Sequence, residues 1–245
     1  MSADLRYVLD QSASRLNDEA IWTPTASLTF EQLEDRSRRV ANGLHAAGVA
    51  PGQAFGILAK NQVEWPELVL GNVRAHTRYV PLNWHLTATE VAELLIDSGA
   101  RLLIVGSETA AVGRVAAEIA GGLDVIELGA DYETWLADQS DEPLPDGPMG
   151  TPMLYTGGTT GRSKGVTRSD MNVPTSQFST LAGRFAMNTH MPTEGRGMLC
   201  TPAYHGLGFG VMQGTLGQGH TLSILPRFDP VDTLQMIEDR SITAT

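Results

Sequence analysis

The chain has 245 residues, 42% hydrophobic and 18% charged, proportions that are typical of folded globular proteins and exclude wholesale disorder. Its formal net charge of −11 would repel phosphate backbones, which excludes a general nucleic-acid binder. The single cysteine, Cys200, excludes an intrachain disulfide and predicts a reducing, cytoplasmic location. The N-terminus shows no signal-peptide pattern, and no apolar run approaches the ~20 residues that a membrane-spanning helix needs.

Short β-type runs alternate with helical patterns along the first half of the chain. Two predicted helices open with a capping box and end at a glycine, with the capping pairs Thr29–Gln32 and Thr87–Glu90 and the terminal glycines Gly48 and Gly99. The predicted strands are the apolar runs AFGILA, RYVPLN, RLLIVG and LDVIEL. Further helices are predicted around Trp65 to Val73, over 111–120 and at YETWLAD.

The Pro- and Gly-rich stretch EPLPDGPMG, residues 142–150, is the predicted internal boundary. After it, we predict strands at PMLYT, GMLCTP and TLSILP, a helix around 175–185, and a last helix that begins at Asp229–Pro230. The chain reaches DRSITAT where a further strand is expected. Strands that alternate with helices predict an α/β fold with parallel sheets flanked by helices.

Residues 154–166 read LYTGGTTGRSKGV and carry the clearest chemical pattern. Glycines let backbone N–H groups turn inward as a nest for phosphate oxygens, hydroxyls add donors, and Lys164 adds a positive charge. The loop follows a predicted strand, so it lies at the carboxyl edge, where open α/β sheets bind ligands. It matches neither GxxxxGK[ST] nor GxGxxG, and the alternative is a flexible surface turn. The hydroxyls favour a polyphosphate site.

This loop resembles the phosphate-binding signature of the adenylate-forming ligases, which include acyl-CoA synthetases, luciferases and peptide-synthetase adenylation domains. Gly157 stands where serine is commonest in that signature, and Ser163 where proline is usual. The stretches LTFEQLEDRSRRVANGLHAAGVAPGQAFGILAKN and RYVPLNWHLTATEVAELLIDSGARLLIV also look like that family. TPAYHGLGFG resembles the segment that lines its acyl pocket. The resemblance covers the chain from about Leu28 onward.

The resemblance implies the N-terminal domain of such a ligase, with interleaved subdomains in which residues 1–54 pack with 185–245. A carboxylate would attack the α-phosphate of ATP, with Mg²⁺, and the acyl-adenylate would pass to the thiol of coenzyme A. The residues implied to bind the ATP phosphates are Thr156, Gly157, Gly158, Thr159, Thr160, Gly161 and Lys164. Lys164 would also offset the charge on the leaving pyrophosphate. The acyl pocket would include Tyr204, His205 and Gly206.

The substrate is expected to be a small-molecule carboxylate. The glycine-rich HGLGFG stretch favours a fatty acid, and an aryl carboxylate stays open. The family's later motifs, including its C-terminal catalytic lysine, do not occur in these 245 residues. We therefore expect a truncated N-terminal AMP-binding domain that cannot complete adenylation alone. The alternatives are an adenylation domain for a carrier-protein thiol and a non-catalytic remnant that binds nucleotide or a partner, and a homodimer is also left open.

Other reactive side chains have simpler explanations. Cys200 near His205 lacks an orienting acid and lies in an apolar run, which predicts a buried core thiol rather than a nucleophile. His85, beside Trp84, is explained by a surface turn. The remaining histidines show no ligand-like spacing, so no structural metal is expected; they are His45, His76, His190 and His220. A cluster of three arginines, Arg36, Arg38 and Arg39, is predicted to form the solvated face of its helix.

Overall fold

The computed structural model describes residues 6–9, 12–156, 164–166, 173–188 and 195–244. The strands are β1 (Glu19–Trp22), β2 (Ser27–Thr29), β3 (Ala54–Leu58), β4 (Arg78–Pro81), β5 (Ala100–Val105), β6 (Asp124–Glu127), β7 (Thr151–Pro152), β8 (Leu154–Thr156), β9 (Lys164–Val166), β10 (Arg196–Leu199) and β11 (Thr221–Ile224). The α-helices are α1 (Phe30–Ala46), α2 (Trp65–Ala75), α3 (Ala88–Ser98), α4 (Ala110–Ile119), α5 (Ala130–Ala137), α6 (Phe178–Asn188), α7 (Gly206–Gly217) and α8 (Pro230–Asp239).

A central sheet of five parallel strands has the order β6-β5-β3-β4-β7. Alternate residues of its strands enter two different cores, as the period of a β-strand requires. Phe55 and Ile57 of β3 belong to the core that includes α1 and α2, whereas Leu58 belongs to the core that includes α3 and α4. The sheet is therefore covered by helices on both faces, and the predicted α/β fold class is confirmed.

A second sheet joins the two ends of the chain, with the order β10-β11-β1-β2. Strand β1 pairs in parallel with β11 and antiparallel with β2. Ile21 of β1 and its partner Leu222 of β11 belong to the same core as α1, α2 and α7. Beyond β10, Ala244 forms a parallel bridge with Gly197, where the sequence predicts a further strand. This sheet thus joins strands that are distant in sequence, and the predicted division into interleaved subdomains stays a prediction.

Local sequence signals begin and end the helices as predicted. Both capping boxes form. The side chains of Thr29 and Thr87 each accept a hydrogen bond from the backbone N–H of the third helical residue, and the backbone N–H of each threonine donates to the side chain of that residue. Helix α3 ends at Gly99, whose φ of 65° lies in the left-handed region that favours glycine. Asp229 caps α8, with Pro230 in its first turn.

The predicted solvated arginine face is wrong. Arg36 is 20% exposed and forms ion pairs with Glu67 and Glu133, at 2.6 Å each. Arg38 is buried, and its guanidinium donates to the backbone carbonyl of Asp141 at 2.7 Å. Arg39 pairs with Asp35 at 2.9 Å. These arginines fasten α1 to α2, to α5 and to the segment after α5, and the most distant partners could not be read from the pattern of α1 alone.

Candidate nucleotide and acyl site

The signature loop is carried by a β-hairpin. Strands β8 and β9 are antiparallel, and their register places Thr156 opposite Lys164. The two ends of the predicted phosphate-binding set therefore face each other at the base of the loop. The predicted residues Gly157, Gly158, Thr159, Thr160 and Gly161 lie outside the described residues, as do the side chains of Thr156 and Lys164.

The base of this hairpin is fixed to the central sheet. The Tyr155 hydroxyl donates to the carboxylate of Asp97 on α3 at 2.6 Å. Burial, and then this contact with Asp97, raise the pKa of Tyr155. Gly165 packs closely against this support, since a Cβ there would displace Cε of Met153 and lie 3.2 Å from the Tyr155 ring. The Met153 amide donates to the carbonyl of Tyr79 on β4 at 2.9 Å. The loop is thus presented from a rigid support.

The predicted acyl-pocket residues form a turn that leads into α7. The amide of His205 donates to the carbonyl of Pro202 at 3.1 Å, and His205 is the N-cap residue of α7. The rings of Tyr204 and His205 lie 4.3 Å apart between centroids, and burial raises the pKa of Tyr204. Residue 208 must be small, because a Cβ there would lie 2.8 Å from the Pro202 carbonyl oxygen. His205 and Gly206 are exposed at this end of the helix.

The structure brings the predicted acyl turn (Tyr204, His205 and Gly206) close to the predicted phosphate hairpin (β8 and β9). A Cβ built on Gly206 would lie 3.1 Å from Cδ1 of Leu154, the first residue of β8. The N-terminus of α7 therefore lies beside the strand that leads into the signature loop. The first backbone N–H groups of a helix have no intrahelical partner and carry a partial positive charge. This corner accordingly offers donors for an anion next to the predicted phosphate loop.

Asn61 is a residue that the sequence reasoning missed. It follows β3, is 7% exposed, and its Nδ2 donates to the carbonyls of Thr201 at 2.9 Å and Leu225 at 3.0 Å. Its Oδ1 accepts from the amide of Ala203 at 2.7 Å. The signal that could have found it is a polar side chain placed directly after an apolar strand, at the carboxyl edge of a parallel sheet.

A second polar cluster lies after three adjacent strands of the central sheet. Lys60 follows β3 and pairs with Glu108, after β5, at 2.7 Å. Its ammonium also lies 5.2 Å from the ring centroid of Trp84, which follows β4. His85 stacks on Trp84, with 3.5 Å between ring centroids, and is exposed in a turn as predicted. Lys60 is thus held by partners of its own.

Cys200 is half-buried at the edge of a small core with Met198, Leu225 and Met236, so it is less enclosed than predicted. Within the part of the chain that the structure describes, no group of three or more His, Cys, Asp or Glu side chains could hold a metal ion. None of the described helices is both long and apolar enough to cross a bilayer.

Comparison with known proteins gives consistent matches. The family model described as AMP-binding enzyme matches residues 9–245. A feruloyl-CoA synthase of an Amycolatopsis species is 33% identical over 222 residues, which cover 89% of this chain and 43% of the relative. The fatty acid–[acyl-carrier-protein] ligase ScoC of Streptomyces coeruleorubidus is 41% identical over 146 residues, covering 57% of this chain and 28% of the relative.

Among solved structures, the inhibitor-bound N-terminal domain of FACL13 from Mycobacterium tuberculosis superposes with a TM-score of 0.83 and 26% identity, over 99% of this chain and 62% of that one. The chain spans less than half the length of the two curated relatives. A match over nearly the whole chain, together with the same fold, shows that the chain belongs to the AMP-binding enzyme family.

Proposed function

We propose that the chain is the phosphate- and acyl-binding part of an ATP-dependent carboxylate–CoA ligase that works through an acyl-adenylate. The observation that carries this proposal is the closeness of Gly206 to the Leu154 side chain, which supports a shared position for the acyl turn and the phosphate hairpin. The two reacting groups, a carboxylate and the α-phosphate of ATP, must meet within a few ångströms. The proximity of the two predicted subsites supports such a meeting, and membership of the AMP-binding enzyme family supports the same function.

Formation of an acyl-adenylate requires stabilisation of the negative charge on the phosphates and does not require a general base. A carboxylate oxygen attacks the α-phosphorus, a P–O bond forms, and the bond to pyrophosphate breaks. In the proposed arrangement the N-terminus of α7 orients the carboxylate, and the N–H nest of residues 157–161 holds the β- and γ-phosphates. Lys164 offsets the negative charge on the departing pyrophosphate. Mg²⁺ bound to the phosphates would supply further charge neutralisation, and phosphate oxygens are among its usual ligands.

We propose a fatty acid as the substrate, with an aryl carboxylate as the second candidate. Leu207, at the start of α7, is 60% exposed, so an apolar side chain stands beside the proposed carboxylate position. The relatives point to both classes, since one is named for a fatty acid and another for ferulate. One of these relatives is named for coenzyme A and the other for an acyl-carrier protein. We propose coenzyme A as the acceptor of the acyl group, with a carrier protein as the alternative. We further propose that these 245 residues alone do not complete adenylation.

The chain has two lysines, Lys60 and Lys164, which allows a sharp test of nucleotide binding. Lysine-selective acetylation, read by mass spectrometry, is run with and without ATP and Mg²⁺. We expect saturating ATP to slow the labelling of Lys164 about tenfold, because a bound phosphate hides its ammonium. The labelling of Lys60 should not change, because Lys60 is held by Glu108 and Trp84.

Two variants complete the test. Lys164→Met should weaken ATP binding, measured by calorimetry, at least tenfold, and Lys60→Met is the matched control that should bind normally. Equal labelling of both lysines with and without ATP, together with no measurable ATP binding, would refute the ligase proposal and favour a remnant that binds a partner. Pyrophosphate exchange by the purified chain would refute the statement that it cannot complete adenylation.

A further inference from the structure

We propose that Asn61 is a positioning residue for the acyl turn, and that its side chain sets affinity for the acyl part of the adenylate rather than for the nucleotide. This inference rests on the proposed function, since it concerns the same site. It is carried by the three hydrogen bonds of a buried amide, which tie two points of the Thr201–His205 segment to the end of β3.

The Asn61 amide is used almost fully. One N–H group holds the Thr201 carbonyl, the other holds the Leu225 carbonyl, and the oxygen holds the Ala203 amide. Thr201 and Ala203 lie on either side of Pro202, whose carbonyl accepts the His205 amide. A single side chain therefore brackets the residues just before the predicted acyl pocket, and it also ties β10 to β11 at their carboxyl ends.

The support beneath Asn61 is rigid. The indole N–H of Trp65, a fully buried residue, donates to the carbonyl of Lys60 at 2.8 Å. The Leu58 carbonyl, at the end of β3, accepts from the amide of Gly106 at 3.0 Å. The backbone next to Asn61 is thus held by hydrogen bonds from α2 and from the residue after β5. The Asn61 amide therefore holds the turn in a defined position.

No other residue type can make these three bonds. Aspartate keeps the acceptor for Ala203 but sets a second anionic oxygen against the carbonyls of Thr201 and Leu225. Alanine removes all three bonds. Glutamine has the same amide one methylene further out, where it would push the turn away from β3. The residue thus fixes both the direction and the distance of the acyl turn.

Helix α7 itself does not depend on this clamp. Most of its residues, from Gly208 to Leu216, are buried on all sides, so the helix is held by packing. Loss of the clamp would free the turn that precedes α7 while the helix stays in place. The phosphate hairpin is anchored elsewhere, through Tyr155 and Met153. A selective effect on the acyl side follows from this separation.

The test compares ATP with two adenylate analogues on the 245-residue chain. Calorimetry measures Kd for ATP and for two non-hydrolysable adenylates, decanoyl- and feruloyl-sulfamoyl adenosine. Of the two adenylates, the one that the unaltered chain binds more tightly is used for the comparison. We expect Asn61→Ala to raise its Kd about tenfold and to change the Kd of ATP by less than twofold. Asn61→Asp, which sets an anionic oxygen against the carbonyls of Thr201 and Leu225, should show a rise at least as large. Equal effects on ATP and on the adenylate would overturn the inference.

Asn42 supplies the matched control. Its amide also makes three hydrogen bonds to the backbone, with Nδ2 donating to the carbonyls of Arg38, Ser140 and Glu142 at 2.9 to 3.0 Å, far along the chain from the acyl turn. Asn42→Ala should leave both Kd values unchanged even where it lowers the melting temperature. If Asn42→Ala and Asn61→Ala weaken the adenylate equally, the effect is general destabilisation and positioning is refuted.

A ligand-free readout separates this inference from the proposed function. Hydrogen exchange at the amides of Ala203 and His205 should be at least tenfold faster in Asn61→Ala, while the interior of α7 keeps its protection. Unchanged exchange at these amides overturns the positioning role, whatever the chain binds. If exchange rises as expected but the unaltered chain binds neither ATP nor adenylate, the positioning of the turn stands and the proposed ligase function fails.

Discussion

Replacing Glu67 by glutamine tests whether a buried carboxylate makes the stability of this fold depend on pH. Glu67 on α2 is fully buried and accepts hydrogen bonds from Arg36 at 2.6 and 2.9 Å and from the Tyr132 hydroxyl at 2.6 Å. Burial raises its pKa to about 7, and the bonds from Arg36 and Tyr132 act in the opposite direction. Burial also disfavours the charge on Arg36, but its bonds to Glu133 and Glu67 outweigh burial and raise its pKa.

The size of the effect follows from the two pKa values. The ordinary pKa is 4.5 and the folded value about 7, so the folded state binds the proton more tightly than the unfolded state. The stabilisation that comes from this proton is fully present below pH 4.5 and is lost as the pH rises through 7. At about 1.36 kcal/mol per pKa unit, the full loss is roughly 3 kcal/mol, of which about 2 to 3 kcal/mol falls between pH 5 and pH 8.

Urea unfolding at pH 5, 6, 7 and 8 provides the assay, for the unaltered chain, Glu67→Gln and Glu133→Gln. The free energy of unfolding of the unaltered chain should fall by about 2 to 3 kcal/mol more than that of Glu67→Gln over this range, because glutamine does not titrate. Glu133 bonds to the same arginine but its side chain is 51% exposed, so Glu133→Gln should keep the pH dependence and cost under about 1 kcal/mol. Parallel curves for the unaltered chain and Glu67→Gln would refute the reasoning.

Two further substitutions test packing. Gln213 on α7 is 4% exposed, and its Nε2 has no hydrogen-bond partner within the described part of the chain. Gln213→Leu should therefore raise the free energy of unfolding, measured in urea, by about 1 kcal/mol. A lower free energy of unfolding would mean that the amide is hydrogen-bonded. Gly150→Ala should cost over about 2 kcal/mol, because the new Cβ would overlap the carbonyl oxygen of Asn72. Its control is Gly183→Ala on α6, where nothing lies within 4 Å of the built Cβ and alanine favours the helix. Similar melting temperatures for the two variants would contradict the predicted clash.

The elements that depend on local chemistry could be predicted from the sequence. The capping boxes at Thr29 and Thr87 and the left-handed Gly99 act within one helical turn, so the residues that cause them are neighbours in the chain. Helix α7 was not predicted, because glycines lower helix propensity and its first turn is HGLGFG. Burial of the helix from Gly208 to Leu216 overrides that preference, and the lack of a side chain at Gly208 lets the turn at Pro202 approach.

The residues of the candidate site also fall into those that a contiguous sequence pattern can predict and those that depend on distant partners. The signature residues form one contiguous stretch, so a resemblance to a family can name them from the sequence, and their role stays a prediction. Asn61 and the arginines of α1 could not, because their partners lie 100 or more residues away in several cases, such as Thr201 and Asp141. A hydrogen bond between distant segments leaves no periodicity in either of them.

The pairing of β1 with β11 also sets an order for folding during synthesis. Strands β3 to β7 of the central sheet lie within about 100 consecutive residues, so this sheet can form while the rest of the chain is still being made. Strand β11 follows β1 by roughly 200 residues, which a ribosome takes about 10 to 40 seconds to add. During that interval β2 is the one native strand partner of β1 that has been made, and a two-stranded ribbon is marginally stable on its own. The apolar side of β1 is therefore a surface that a nascent-chain chaperone can cover until β11 emerges to replace it.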